Sequence, residues 1–347
     1  MTVTPESRGE ARGPFPEGLM ERLAQEMREH GRQPETGPGA LWIEGEEGRV
    51  DMALEDGMFR VRVAASEQRQ VLRLREAVLH LIDHAAEGLT GRMDWVGGPV
   101  PGSLPSNIIF AEVEGVTRIG ANFLRVAVRS DQMAVFAEGG MHFRLLLPPE
   151  GRAPVWPVID DRGRSIWPKG EDALHAPAYT IVEIDPTAGT MSFDLYEHDG
   201  SLATDWAQGV APGARIGLSG PGGGHFPPGD WILMAGDETA LPAIRRILAH
   251  SPAGRQGHVF LETGDPGDRV PLEAPRGIRV TWLDRGAGPG LLEAASAVAL
   301  PGGQDSRFVW FAAERDQARR AKALFRERFG LQAAEGYFSG YWTAPAA

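Results

Sequence analysis

The stretch WILMAGDETALPAIRRILAH, Trp231 to His250, sets an apolar run and a turn with two acidic residues ahead of a helical pattern. A strand–turn–helix of this kind aims backbone N–H groups at a bound anion. Pro242 is tolerated in the first helical turn, where an N–H needs no partner, and Thr239 is the expected N-cap. The turn Gly236–Thr239 therefore suits the C-terminal edge of a parallel sheet, where α/β domains take their ligands. The full dinucleotide fingerprint is absent, and an ordinary capped turn would read the same way. The loop just before it, SGPGGGHFPPGD, is rich enough in glycine to bring backbone close to a ligand or to link two domains. It lacks the Lys-Ser/Thr of a phosphate-binding P-loop.

Other chemistry is excluded more firmly than any is indicated. There are no cysteines, which removes disulfides, thiol catalysis and thiolate metal sites, so redox chemistry would need a cofactor. His80 and His84 have a metal-compatible i, i+4 spacing, but no third ligand follows, and no metal site is expected. His142, His175, His198 and His225 have no triad partner at a recognisable spacing, so no catalytic residue is assigned. The net charge of −12 disfavours nucleic acid, which demands clustered Lys and Arg. No apolar run approaches the ~20 residues that span a bilayer. The N-terminus lacks the apolar core of a signal peptide, and the chain reads as cytoplasmic.

The elements that must position these residues fall into three blocks. Residues 1–19 read as a flexible tail, and residues 20–97 as a small α+β domain. In that domain a short helix precedes three antiparallel strands, a long helix from Ser66 as N-cap, and a closing strand. The Gly/Pro/Ser-rich residues 98–107 read as a linker. From 108 to 226 six short strands predict an antiparallel six-stranded barrel, with WAQGVAPG as a connector. From 227 to 347 strands and helices alternate, which predicts a parallel α/β nucleotide-binding domain. Its last segment, GYFSGYW, must bury its rings, either to staple the domain or to cover a flat cofactor.

In order, the barrel, AYT, ATDWA, the glycine loop, AGDETALPAI, VWFAAE and the final GYW resemble the siderophore-interacting protein family, FAD-binding ferric-siderophore reductases of the ferredoxin-reductase-like superfamily. The resemblance covers about Asn107 to Trp342. It implies that FAD binds the barrel and NADPH or NADH the α/β domain. His142 would lie near the flavin, and Ala178, Tyr179, Thr180 and Ile181 along it and its phosphates. Glu197 or His198 would stand at the next family histidine. Ala203 and Thr204 would offer amides to the pyrophosphate, with Trp206 behind them. Gly236, Asp237, Glu238, Thr239 and Ala240 would form the nicotinamide site, and Tyr341 and Trp342 complete the cofactor set. Pro177 stands where the family carries an Arg, and Thr343 where it carries a basic residue.

The implied reaction passes electrons from NAD(P)H through FAD to Fe(III) in a siderophore or other ferric chelate, with a ferredoxin-type donor as an alternative. Arg118, Arg125, Arg129, Arg144 and Lys169 are candidate contacts for an anionic chelate by their place in the barrel segment. The other reading is a flavin-poor scaffold that holds a siderophore, haem or partner without turnover, with general flavin or quinone reduction a third. Met20 to Val96, through GRVDM, EDGMFRVRVAAS and MDW, resembles a small bacterial domain family of unknown function.

Overall fold

A computed structural model of the chain describes residues 4–29, 32–45, 48–161, 163–302 and 306–344. It divides into two compact units, Met1–Ile108 with Pro148–Leu174, and Ile109–Leu147 with His175–Ala347.

The first unit is a six-stranded antiparallel sheet. Its strands are β1 (Glu6–Arg12), β2 (Glu35–Gly37), β3 (Ala40–Gly45), β4 (Gly48–Glu55), β5 (Met58–Ala64) and β6 (Asp94–Val96), ordered β2-β3-β4-β5-β1-β6. Helices α1 (Leu19–Glu29) and α2 (Gln68–Ala85) share its core with Phe59, Val61 and Val63 of β5. Asp56 and Gly57, both at positive φ, make the two-residue turn between β4 and β5.

Four expectations are corrected here. The segment read as a flexible tail contains β1, which pairs with both β5 and β6. Its buried face is Ser7, Gly9 and Ala11, so it carries no large apolar alternation to read. Gly9 leaves room for the Trp95 ring, which a Cβ there would meet at 2.6 Å. The cap of α2 is Glu67, not Ser66; the Glu67 N–H donates to Gln70 Oε1 at 3.2 Å, closing a capping box one residue further on. The segment read as a linker is tied down, since Gly102 N donates to Ile159 O and Ile159 N to Ser103 O. Residues 148–174, placed in the barrel, pack with the first unit, and Lys169 goes with them. They hold the hairpin β10 (Val158–Ile159) and β11 (Ser165–Ile166).

The second unit begins with the closed barrel. It is built from β7 (Ile108–Arg118), β8 (Phe123–Arg129), β9 (His142–Leu146), β12 (Ala178–Asp185), β13 (Thr190–Tyr196) and β14 (Arg215–Gly222). These are the six expected segments, ordered β12-β13-β8-β7-β14-β9. The expected connector is helix α3 (Leu202–Gly209), whose Ala203 and Ala207 join the barrel core. Ser201 starts it, its Oγ accepting from Thr204 N.

The nucleotide-type domain is a five-stranded parallel sheet of β15 (Trp231–Gly236), β16 (Gln256–Thr263), β17 (Gly277–Asp284), β18 (Arg307–Glu314) and β19 (Gly336–Trp342). The order β17-β16-β15-β18-β19 reverses direction at β15. Helices α4 (Leu241–Ala249), α5 (Leu291–Ser296) and α6 (Arg315–Phe329) cover it. Ile232 and Met234 of β15 join the core on the α4 side, Leu233 and Ala235 the core of α5 and α6. A strand buried on both faces reads as a continuous apolar run, which is why WILMA is legible.

In the first unit, Arg75 of α2 is 2% exposed, lies 4.5 Å over the Trp95 ring and donates to Gly163 O at 3.4 Å. Arg164 pairs with Asp83 at 3.2 Å, and Ser165 Oγ donates to Glu76 Oε1 at 2.7 Å. Arg75→Ala removes a large buried side chain and should destabilise this unit by about 2–4 kcal/mol. The check is limited proteolysis with hydrogen exchange: cleavage within 148–174 accelerates while barrel amides keep their protection.

Candidate functional site

Both halves of the site lie in the second unit. His142, the first residue of β9, sits across from Thr180 of β12 in the barrel ladder. Its Nδ1 lies 3.1 Å from Thr180 Oγ1, and its Nε2 lies 3.1 Å from the Tyr341 hydroxyl of β19. One imidazole thus joins three strands. Burial pushes the His142 pKa down to about 4, Arg246 adds to the shift, and a hydrogen bond with the Tyr179 backbone opposes it. The ring is therefore neutral at ordinary pH, with one nitrogen donating and the other accepting. Burial also raises the Tyr341 hydroxyl pKa, so that group keeps its proton.

The glycine loop approaches this ring with its backbone. Met141 N donates to the carbonyls of Gly223 and Gly224 at 3.2 Å. Gly224 has φ +61°, and a Cβ there would stand 2.8 Å from His142 Nε2. Tyr179 packs its ring against Phe193 and Phe143 at 5.3 and 6.3 Å, and Ile181 is buried in the barrel core. Ala178, between them and Pro177, is exposed.

The second half is the turn after β15. Gly236 must be glycine, because a Cβ there would lie 2.5 Å from the Ala240 Cβ. Thr239 is not the N-cap of α4; that position is Ala240, and Pro242 falls in the first turn as expected. Asp237 braces the turn instead. Its Oδ1 accepts from Thr239 N at 3.0 Å and from Thr239 Oγ1 at 2.5 Å, and its Oδ2 accepts from Trp342 Nε1 at 2.7 Å. Burial raises its pKa against these hydrogen bonds. Glu238, 2% exposed, accepts from Gly264 N at 2.6 Å and pairs with Arg285.

Consecutive residues of β19 therefore reach the two halves: Tyr341 to His142, and Trp342 to Asp237. GYFSGYW staples the barrel to the turn. Helix α4 makes a second staple with two arginines that sequence reasoning did not single out. Arg245 pairs with buried Asp194 of β13 at 3.3 Å. Arg246, 7% exposed, donates to Ile181 O of β12 at 2.7 Å. It pairs with no carboxylate among the described residues, and its Nε has no protein partner. The available signal was two adjacent arginines inside an otherwise apolar helix.

The remaining candidates are committed elsewhere. Glu197 accepts from Gln208 at 2.7 Å and pairs with Arg118 at 2.6 Å, which holds its pKa below the ordinary carboxylate range. His198 is exposed, its backbone N–H donating to Thr204 Oγ1 at 3.3 Å. Trp206 packs against the barrel core behind Ala203. Arg125 holds Asp194 through two bonds of 2.7 and 2.9 Å, and Arg129 holds Glu114. Arg144 differs. Its Nη1 donates to Ala176 O at 2.9 Å, and among the described residues it pairs with no carboxylate. No three metal-ligating side chains come together among the described residues, and no helix there is long and apolar enough to cross a membrane.

The His142 pKa lies below the ~6.5 of an unfolded chain. Its contribution to stability is therefore complete above pH ~6.5 and is lost as pH falls toward 4. His142→Gln should flatten the pH dependence of stability across that window, measured by urea unfolding. The imidazole NMR resonances assigned by that variant should stay at their neutral positions down to about pH 4.

Comparison with known proteins fits this geometry. Residues 112–225 match the siderophore-interacting FAD-binding domain and residues 229–345 the siderophore-interacting protein model. Ferric vibriobactin reductase ViuB of Vibrio cholerae is 29% identical over 235 residues, covering 65% of this chain and 85% of that one. The NADPH-dependent ferric-chelate reductase of Escherichia coli is 26% identical, covering 66% and 90%. A siderophore utilization protein from T. fusca superposes with a TM-score of 0.61 at 30% identity, covering 69% and 94%. The siderophore-interacting protein SipS from Aeromonas hydrophila gives 0.57 at 25% identity, covering 71% and 100%. With its closed barrel and its parallel sheet joined through His142 and Tyr341, the chain belongs to the siderophore-interacting protein family, and its barrel is of the FAD-binding type.

Proposed function

We propose that this protein is a cytoplasmic reductase that takes electrons from NADPH or NADH and delivers them to Fe(III) in a siderophore or similar chelate. The observation that carries the reading is the reach of Tyr341 and Trp342 to His142 and Asp237, one residue apart. It brings a barrel strand of the FAD-binding type and the turn of a parallel α/β sheet to one place. Bound FAD supplies the conversion of a two-electron hydride donor into one-electron steps. Fe(II) is held less tightly than Fe(III) by hard oxygen ligands, so reduction loosens the metal.

The residues present fit FAD. Thr180 and His142 offer a neutral, hydrogen-bonded surface at the strand crossing, with Tyr341 closing its far side. The first turn of α3, Leu202 to Thr204, would face the pyrophosphate. Arg144 supports phosphate binding despite Pro177, because it sits across the ladder from Ala178 and keeps its charge free of carboxylates. In this reading the chain's own groups bind and orient, keep a proton at the Tyr341 hydroxyl, and exclude water. None has to act as acid or base toward the metal.

Pro177 in place of the family Arg favours one other reading, a binding protein on the same scaffold with little flavin. The visible spectrum after FAD addition and gel filtration separates them. Flavin bands should stay with the protein and bleach under NADH or NADPH, and a ferric chelate should then yield Fe(II) to a colorimetric trap. No retained flavin at micromolar FAD would turn the assignment to the binding protein. Arg144→Met should weaken FAD binding about tenfold or more, the worth of one charge-assisted contact to phosphate, read by flavin fluorescence.

A further inference from the structure

The C-terminal ends of β15, β16 and β17 carry more carboxylates than cations. Glu238 follows β15, Glu262 is the next-to-last residue of β16 with Asp265 just beyond, and Asp284 ends β17. The two arginines among them are already committed. Arg285 binds Glu238 and reaches Glu262 at 3.4 Å. Burial works against its charge, but Glu238 and Glu262 together outweigh this, and its pKa is raised. Arg269 is paired with Asp284. Glu262 also accepts from Leu291 N at 3.2 Å, so it is fixed from two sides. Beside it, the Thr263 hydroxyl is buried, with the residue 1% exposed, and has no hydrogen-bond partner. A buried hydroxyl of this kind costs free energy until a ligand satisfies it.

These strand ends are the edge at which a parallel α/β sheet receives a nucleotide. NADPH differs from NADH by a dianionic phosphate on the adenosine ribose. A site for it needs a free cation, whereas a ribose diol is bound by a carboxylate. We infer that this edge selects NADH over NADPH, with Glu262, together with Glu238, holding Arg285 away from a 2′-phosphate. The inference rests on the reading that a nicotinamide nucleotide is the donor. Like charges at this edge repel the phosphate, and salt screens that repulsion.

The test is calorimetric titration of the full-length protein with NAD⁺ and with NADP⁺, at low and at high ionic strength. NAD⁺ should bind about tenfold tighter or better at low salt, and the gap should narrow at high salt. Glu262→Gln keeps an acceptor for Leu291 N but releases part of the Arg285 charge. It should shift the NAD⁺ to NADP⁺ ratio toward NADP⁺ by about tenfold, the size of one charge contact. Equal affinities, tighter NADP⁺, or a ratio unmoved by Glu262→Gln would overturn the inference and leave the nucleotide-donor reading standing. If neither nucleotide binds a protein with unchanged thermal unfolding, both fall together.

Discussion

The site depends on one half-buried, neutral imidazole, that of His142. A histidine placed between two hydroxyls needs one donating and one accepting nitrogen, and burial removes the charged form that would donate from both. Thr180 and Tyr341 adapt to either arrangement because a hydroxyl can donate or accept. That freedom lets strands from the barrel and from the parallel sheet meet on a single ring without a buried charge. A carboxylate or lysine at this position would have to be desolvated and paired. The glycine loop then follows, since backbone without Cβ atoms is what fits against the ring.

The acidic turn has a different logic from the one its sequence suggests. Asp237 and Glu238 stand where a helix start would favour an anionic ligand, and two carboxylates there oppose that tendency. Their charges are spent on the protein: Asp237 on Thr239 and Trp342, Glu238 on Gly264 and Arg285. The turn is held by its own side chains, and its anion-binding capacity is curtailed. Arg246 carries the complementary charge a helix turn further on, and spends it on a barrel carbonyl rather than on a carboxylate. Beside it, Arg245 makes the charged connection, to Asp194 of the barrel.

Legibility in the sequence followed side-chain volume. All six barrel segments and the WILMA strand were readable because large apolar residues alternate or run together there. Strand β1 was not, because its inward residues are Ser7, Gly9 and Ala11 and the bulk filling the space belongs to Trp95, eighty-six positions later in the chain. The place of the excursion 148–174 is not legible, because its partners on α2, Arg75, Glu76 and Asp83, look in sequence like ordinary charges of an exposed helix face. In the candidate site, His142, Thr180, Tyr341 and Asp237 each stand in one of the ordered motifs. Their mutual bonds cross up to 199 positions of sequence, which no local pattern encodes. The ion pair of Glu197 with Arg118 is equally non-local.

Pro177 shows how a motif can change without losing its geometry. Leu145 N donates to the Pro177 carbonyl, so the ladder between β9 and β12 is in register before β12 formally starts. A proline cannot return that bond, and it is tolerated because it stands at the entry of the strand. An arginine at this position would place its charge on β12. Here a guanidinium that pairs with no carboxylate among the described residues stands on β9, at Arg144, in register with Ala178. Arg144 and Ala178 are partners on adjacent strands of this ladder, about 4.8 Å apart. A long, flexible arginine side chain can span such a distance, so in the proposed reading the cation at this end of the ladder comes from β9 and not from β12.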